Sequence, residues 1–179
     1  MNPRQVLEAF DSHLAVTSLR LDAVVIGGTA LNLLGVVSRP TKDCDILHPE
    51  LAPEVAIAAR AFAIVLRKRG EVLQDDWLNN GPASLAATLP SGWQDRVQLV
   101  FSGVAIELHC LGRHDLLMSK LFALCDRGID LADCVALAPK QEELRLVLPW
   151  LEHQDGNPGW KDHVRLTFTD LAKRLGHGL

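Results

Sequence analysis

Apolar residues recur along this chain with two spacings, and the spacing changes at glycine and proline. Val6, Phe10 and Leu14 share one face of a helix. Asn2-Pro3 stands before them, a capping residue followed by a first-turn proline. Residues 23–26 form a short apolar run ending at Gly27-Gly28, which predicts a buried strand entering a tight turn. Residues 29–34 predict a helix starting at that turn and broken by Arg39-Pro40-Thr41. Residues 43–47 predict a second strand, closed by Pro49. Residues 53–69 predict a longer helix, with Val55, Ala59, Phe62 and Leu66 on one face and Gly70 placed to end it.

Residues 71–95 carry Asn79-Asn80-Gly81-Pro82, Pro90 and Gly92, and read as loops with short helical turns. Residues 97–101 and 104–110 flank Ser102-Gly103, which predicts a two-residue hairpin. In its second strand Ala105, Glu107 and His109 share one face, and Val104, Ile106 and Leu108 share the other. Helices are predicted near 114–126, 130–138 and 141–152. After a linker at 156–159, a last helix carries Val164, Phe168, Leu171 and Leu175. The order is α-β-α-β-α-(ββ)-α-α-α-α. It predicts an α/β (α+β) core over residues 1–140, a small mixed sheet flanked by helices. Residues 141–179 form a helical extension.

Composition narrows the function classes. The chain has 179 residues, 48% hydrophobic and 22% charged, an ordinary globular balance. Its formal net charge of −4 argues against broad nucleic-acid coating but leaves room for a local basic groove. Cys44, Cys110, Cys125 and Cys134 are scattered without metal-ligand spacing and read as reduced, packed thiols. The first residues lack the apolar stretch of a signal peptide, and no run approaches membrane-spanning length. The cytoplasm is the expected compartment, with no membrane partner.

Asp43-Cys44-Asp45 is the first candidate for chemistry. On a strand, residues i and i+2 point the same way, so both carboxylates project together. Their repulsion calls for compensation, and a hard cation with oxygen ligands supplies it. A solvated edge pair, or a salt bridge to Arg39 or Lys42, would leave the same trace. Upstream, Gly27-Gly28 ends a strand and opens a helix, where backbone N–H groups can approach an anion; Thr29 adds a hydroxyl. A phosphate cradle, one helix and then a carboxylate pair suit a nucleoside triphosphate with its Mg²⁺.

Three further positions stand out. Glu107 offers a third carboxylate, as a base or a metal ligand, or else an exposed strand face beside His109. Lys120 interrupts the apolar stripe of Leu117, Leu121 and Leu124; it either snorkels to solvent or reaches a phosphate. Arg127 lies near the same face. Asp130 and Asp133 follow at i, i+3, where acids also simply suit a helix N-terminus.

Together these residues resemble the nucleotidyltransferase superfamily that includes DNA polymerase beta, and within it the minimal, toxin-like bacterial members. The first block is GGTALNLLGVVSRPTKDCDIL, residues 27–47. The second, VAIELHCLGRHDLLMSKLFALCDRGIDLADCVAL at 104–137, is similar to the third-strand acid, K-L-x-A helix and D-x-x-D segment of abortive-infection-type toxins. DDWLNN at 75–80 is similar to the same relatives. The resemblance covers residues 20–140 and implies a nucleotidyltransferase fold.

It also implies roles. Gly27, Gly28 and Thr29 hold phosphates, with Gly28 where a serine is common. Asp43, Asp45 and Glu107 hold Mg²⁺ or Mn²⁺ and carry catalysis. Lys120 and Arg127 contact the nucleotide, and Asp130 serves as a base. The implied reaction moves a nucleoside monophosphate from an NTP to a hydroxyl of tRNA or other RNA, a protein or a small molecule. A toxin–antitoxin or phage-defence setting, with an antitoxin partner, is implied too. The alternative is a non-catalytic nucleotide-binding or regulatory module on the same fold.

Overall fold

Asn2 accepts a hydrogen bond from the Arg4 amide, and the Gln5 side chain accepts one from the Asn2 amide. This reciprocal cap starts α1 (Pro3–Val16) where the sequence places it. The computed structural model describes residues 2–177. Contacts divide the chain into two compact units, one reaching to Ala87 and including Ser91–Gly112, the other comprising Thr88–Pro90 and the residues from Arg113 onward. Among the described residues no helix is long and apolar enough to cross a membrane.

In the first unit α1 is followed by β1 (Leu21–Ile26), α2 (Gly27–Leu33), β2 (Cys44–His48), α3 (Pro53–Lys68) and β3 (Leu78–Asn79). Two 3₁₀ turns, Ala83–Ala87 and Trp93–Arg96, precede β4 (Gln98–Ser102) and β5 (Ile106–Cys110). The strands form one mixed sheet, ordered β3-β2-β1-β5-β4. β1 runs parallel to β5 and antiparallel to β2; β2 and β3 are parallel, and β4 and β5 antiparallel.

Alternation along each strand sorts the residues by face. Leu21, Ala23 and Val25 of β1, Cys44 and Ile46 of β2, and Ile106, Leu108 and Cys110 of β5 are buried in one core with Phe10 and Leu14 of α1 and Ala59 and Phe62 of α3. Phe10 and Trp77 meet edge to face at 5.2 Å. The opposite face carries Asp22, Val24 and Ile26 of β1, with Asp45 of β2 and Glu107 and His109 of β5 in register beside them. Asp45, Glu107 and His109 therefore share the face turned away from the α1–α3 core.

Two local expectations are corrected. The hairpin is wider than two residues: Ser102 pairs with Glu107, and the Gly103 amide bonds to the Ile106 carbonyl at 2.8 Å. The cause lies in α1. Asp11 is buried, and its carboxylate accepts from the amides of Val104, Ala105 and Ile106 at 3.0, 2.8 and 2.8 Å. These amides are drawn out of the ladder, which leaves Val104 exposed instead of facing the core. Gly103 is required here, because a Cβ would land on the Asp11 carboxylate. The loop at 71–95 also contains the unexpected strand β3. It is too short to show periodicity, and it is fixed by the buried Trp77, whose Nε1 donates to the Ala59 carbonyl at 3.1 Å.

The second unit is helical: α4 (Arg113–Arg127), α5 (Leu131–Ala136), α6 (Gln141–Leu151) and α7 (Trp160–Arg174). Leu117, Leu121 and Leu124 of α4, Leu144, Val147 and Leu151 of α6, and Val164, Phe168 and Leu171 of α7 are buried. Arg113 grips Glu143 through two hydrogen bonds of 2.6 and 2.9 Å and reaches the Leu137 carbonyl at 3.1 Å, tying the start of α4 to the α5–α6 link. All four cysteines are buried and free, and burial raises each thiol's pKa.

The Asp11 anchor makes a prediction. Asp11→Asn weakens three amide bonds to a charged acceptor and should cost about 1.5–3 kcal/mol in urea unfolding. Gly103→Ala should cost about 1–3 kcal/mol by overpacking. Both act through one carboxylate, so the double variant should lose less than the sum. Full additivity would show that the hairpin turn does not depend on this anchor.

Glu143 supplies a pH dependence. The Arg113 hydrogen bonds outweigh burial and hold its carboxyl at about 2, below the ordinary 4.5. A lowered folded-state pKa stabilises above the unfolded value and is lost as pH falls through the folded one. The second unit should therefore lose stability between about pH 4.5 and 2. Glu143→Gln should flatten that part of a melting-temperature against pH curve.

Candidate functional site

β1 ends in Ile26, and the chain turns at once into α2. Gly27 holds a left-handed φ of +71°, a conformation that favours glycine. β2 enters antiparallel beside it, with Asp45 in register with Ile26. The Asp45 carboxylate is thereby pressed against the turn: a Cβ on Gly27 would lie 2.7 Å from its Oδ2. A Cβ on Gly28 would stand 3.0 Å from the Thr41 methyl. The Gly27-Gly28 turn and the acidic strand are thus built against each other. The first-turn amides of α2, which lack intrahelical partners, begin at this spot.

Asp43 precedes β2 by one residue and is exposed, while Asp45 is half-buried and Cys44 between them is buried. Burial first, then the neighbouring carboxylates of Asp45 and Asp43, push the Cys44 thiol far up, so it is a packed neutral group. Thr29 and Thr41 both donate to the Asp43 carbonyl at 2.7 Å. The Thr29 hydroxyl is buried and its proton is already committed. Thr29 therefore braces the start of β2, and donating to a phosphate would require it to release that carbonyl.

Asn79 is the site residue that sequence reasoning missed. It sits opposite Asp45 on β3, and its Nδ2 donates to Asp45 Oδ1 at 3.3 Å. Its Oδ1 accepts from the Gly81 amide at 2.7 Å, which fixes which end of the amide faces the carboxylate. Asn80 is a second brace: its Nδ2 donates to the Ile46 and Pro49 carbonyls, both at 3.1 Å, and its Oδ1 accepts from the Leu51 amide. The Asn-Asn pair in DDWLNN was the available signal.

Glu107 is on the same sheet face as Asp45 but not beside it. Glu107 pairs with Asp22 and Asp45 with Ile26, four residues apart on β1. Strand geometry then separates them by about 13 Å along β1 and about 10 Å across two strand spacings. Carboxylates on one ion stand a few ångströms apart, so Glu107 does not join the Asp43–Asp45 set. Its company is Asp22 and His109.

In the second unit Lys120 is buried, and its ammonium donates to Asp130 Oδ1 at 2.9 Å and Asp133 Oδ2 at 2.7 Å. Arg127 donates to Asp130 Oδ2 at 3.0 Å. Lys120 thus neither snorkels to solvent nor presents a bare ammonium. Burial pulls its pKa down, but the two carboxylates overrule this and raise it. Asp130 precedes α5 without capping it through its side chain, because both carboxylate oxygens are taken by cations.

This cluster carries its own prediction. Lys120→Met keeps the stem but leaves two buried carboxylates without their shared cation. The cost should be about 3–5 kcal/mol in chemical denaturation. Restoring neutrality with Asp133→Asn in the same chain should recover part of it. A Lys120→Met protein as stable as wild type would show that the pairs contribute nothing to the fold.

Residues 4–138, well over half of the chain, match the family described as nucleotidyltransferase of unknown function (DUF6036). No curated protein and no solved structure matches the chain. The matched span contains the Gly27-Gly28 turn, the Asp43–Asp45 pair and the Lys120 cluster. With a mixed five-stranded sheet flanked by helices and the Asp45 carboxylate set against a glycine turn, the chain belongs to this nucleotidyltransferase family.

Proposed function

We propose that this protein is a Mg²⁺-dependent nucleotidyltransferase, moving a nucleoside monophosphate from an NTP to a hydroxyl acceptor. The observation that carries the reading is the contact between the Asp45 carboxylate and the Gly27 backbone. It sets a carboxylate beside the start of a helix, in space that a Cβ at position 27 would deny it, with Asp43 two residues away in sequence. Asp43 and Asp45 would hold the cation, a donor set suited to Mg²⁺ or Mn²⁺. Bound there, the ion would supply positive charge that offsets the charge developing in the transfer.

The remaining work falls to the chain itself. The Gly27-Gly28 backbone would take phosphate oxygens through first-turn amides. Thr29 and Thr41 hold the Asp43 backbone, and Asn79 orients Asp45. Nucleotide contacts by Lys120 and Arg127, or proton acceptance by Asp130, would require these side chains to release one another first. The acceptor follows only from the resemblance: RNA such as tRNA, a protein or a small molecule. A toxin role and an antitoxin partner belong to the same proposal.

A second reading has one observation in its favour. The residue beside Asp45 on β3 is an amide, Asn79, and Glu107 lies elsewhere, so neither adds a third carboxylate to Asp43 and Asp45. A nucleotide-binding module that does not transfer would need no more.

The test uses thermal melts and pyrophosphate release. Mg²⁺–NTP at about 100 times its dissociation constant should stabilise the wild type by about 2.7 kcal/mol. That is on the order of 5–10 °C for a chain of this size. Asp45→Asn should abolish most of the shift. Its own stability without ligand should be equal or slightly higher, because two carboxylates about 5 Å apart repel by roughly 3 kcal/mol before screening. An equal ligand shift in Asp45→Asn overturns the reading. A shift without pyrophosphate release, across RNA, protein and small-molecule acceptors, favours the binding module.

A further inference from the structure

At the other end of the same sheet face, Asp22 and Glu107 are register partners on the parallel strands β1 and β5, and His109 lies two residues beyond Glu107. The imidazole stands between the two acids. Its Nδ1 is 3.9 Å from Asp22 Oδ1, and its Nε2 is 3.9 Å from Glu107 Oε1. Neither contact is a hydrogen bond, which needs about 2.7–3.2 Å. Each of the three residues nonetheless offers one ligand atom, and these atoms lie within 4.8 Å of one another.

We infer that Asp22, Glu107 and His109 form a binding site for a divalent transition metal such as Zn²⁺ or Co²⁺, separate from the Asp43–Asp45 pair. Ligands held at about 2.0–2.2 Å from one ion stand roughly 3–4 Å apart. The two 3.9 Å contacts use different ring nitrogens, only one of which can bind a given ion; with one donor atom from each residue the set lies within 4.8 Å, so the acids have to close in by about 1 Å. That contraction is small and falls on exposed acids with free rotamers: the Asp22 side chain is 80% exposed and that of Glu107 52%. The backbone fixes what matters more, two carboxylates abreast on adjacent strands. Like charges in that position oppose sheet pairing, and a cation removes the conflict.

The donor set selects the metal class. One imidazole nitrogen with two carboxylates suits Zn²⁺, Co²⁺ or Ni²⁺ better than Mg²⁺ or Ca²⁺, which prefer oxygen alone. His109 is the least exposed of the three, with 27% of its side chain accessible, and its ring is the fixed donor around which the acids close. Three protein ligands on an exposed face leave coordination positions to water. The ion would clamp β1 to β5 on the face opposite the core. The inference is independent of the proposed nucleotide chemistry, since none of its ligands serves the Gly27–Asp45 site.

The experiment titrates Co²⁺ into the full chain in excess Mg²⁺ and follows the visible absorption of the bound ion, with Zn²⁺ added as competitor. Magnesium fills an all-oxygen pair but competes poorly for an imidazole nitrogen. One saturable equivalent, displaced by Zn²⁺, is expected. His109→Ala and Glu107→Gln should each weaken it at least tenfold. Asp22→Asn, at a surface position that leaves the fold intact, should do the same. Asp45→Asn should leave it unchanged, so that failure here and failure of the nucleotide reading show in different proteins. No saturable binding, retained affinity in His109→Ala or Asp22→Asn, or loss in Asp45→Asn would overturn the site.

Discussion

A side chain at position 27 would compete with the Asp45 carboxylate for the same space, and a glycine with positive φ removes the competition. The organisation of the first unit follows from that contact. For Asp45 to reach the turn, β2 must pair antiparallel with β1 so that its second residue meets the last residue of β1. For β2 to begin there, the loop from α2 must deliver Asp43 at the right height. The hydroxyls of Thr29 and Thr41 do this by converging on its carbonyl. Cys44 and Ile46 can then face the α1–α3 core while the acids face away from it. A one-residue slip would bury both carboxylates and expose both apolar side chains.

Charge is handled differently in the two units. In the second, Lys120, Asp130, Asp133 and Arg127 satisfy each other within the protein, three of them buried. Such a cluster specifies one arrangement of α4 and α5 more than it adds net stability, because desolvation offsets much of the attraction. In the first unit the acids at 43 and 45, and those at 22 and 107, stand in adjacent pairs. There negative charges stand close together without a buried cation of the protein between them, which is what the proposed cation sites would answer.

Much of this is legible in the sequence. Helices α1, α3 and α7 announce themselves by the spacing of Val6, Phe10 and Leu14, of Val55, Ala59, Phe62 and Leu66, and of Val164, Phe168 and Leu171. Gly27-Gly28 and Asp43-x-Asp45 gave the turn and the pair through strand parity. What escaped was contact at long range. Asp11 is an unremarkable helix acid in sequence, yet it reshapes a hairpin more than ninety residues away. Lys120 was visible as an anomaly on an apolar stripe, but its partners lie on a different element, which periodicity within one helix cannot name. The position of Glu107 escaped in another way. Face parity puts it correctly on the side of Asp45, whereas its distance along the strand depends on the register of β5 against β1.

Asn79 shows how such registers finish a site. Strand β3 is two residues long and adds little to the sheet, but it sets Asn79 directly beside Asp45. With its Oδ1 held by the Gly81 amide, the side chain can only donate, and it donates to Oδ1 of Asp45. A carboxylate with one oxygen engaged by a fixed donor loses rotational freedom. The other oxygen, Oδ2, is the one that lies against Gly27. Strand β3 therefore acts as a ratchet on one torsion. It holds the lone pairs of Oδ2 toward the start of α2, where an anion at the helix terminus and a cation on the acids would have to meet.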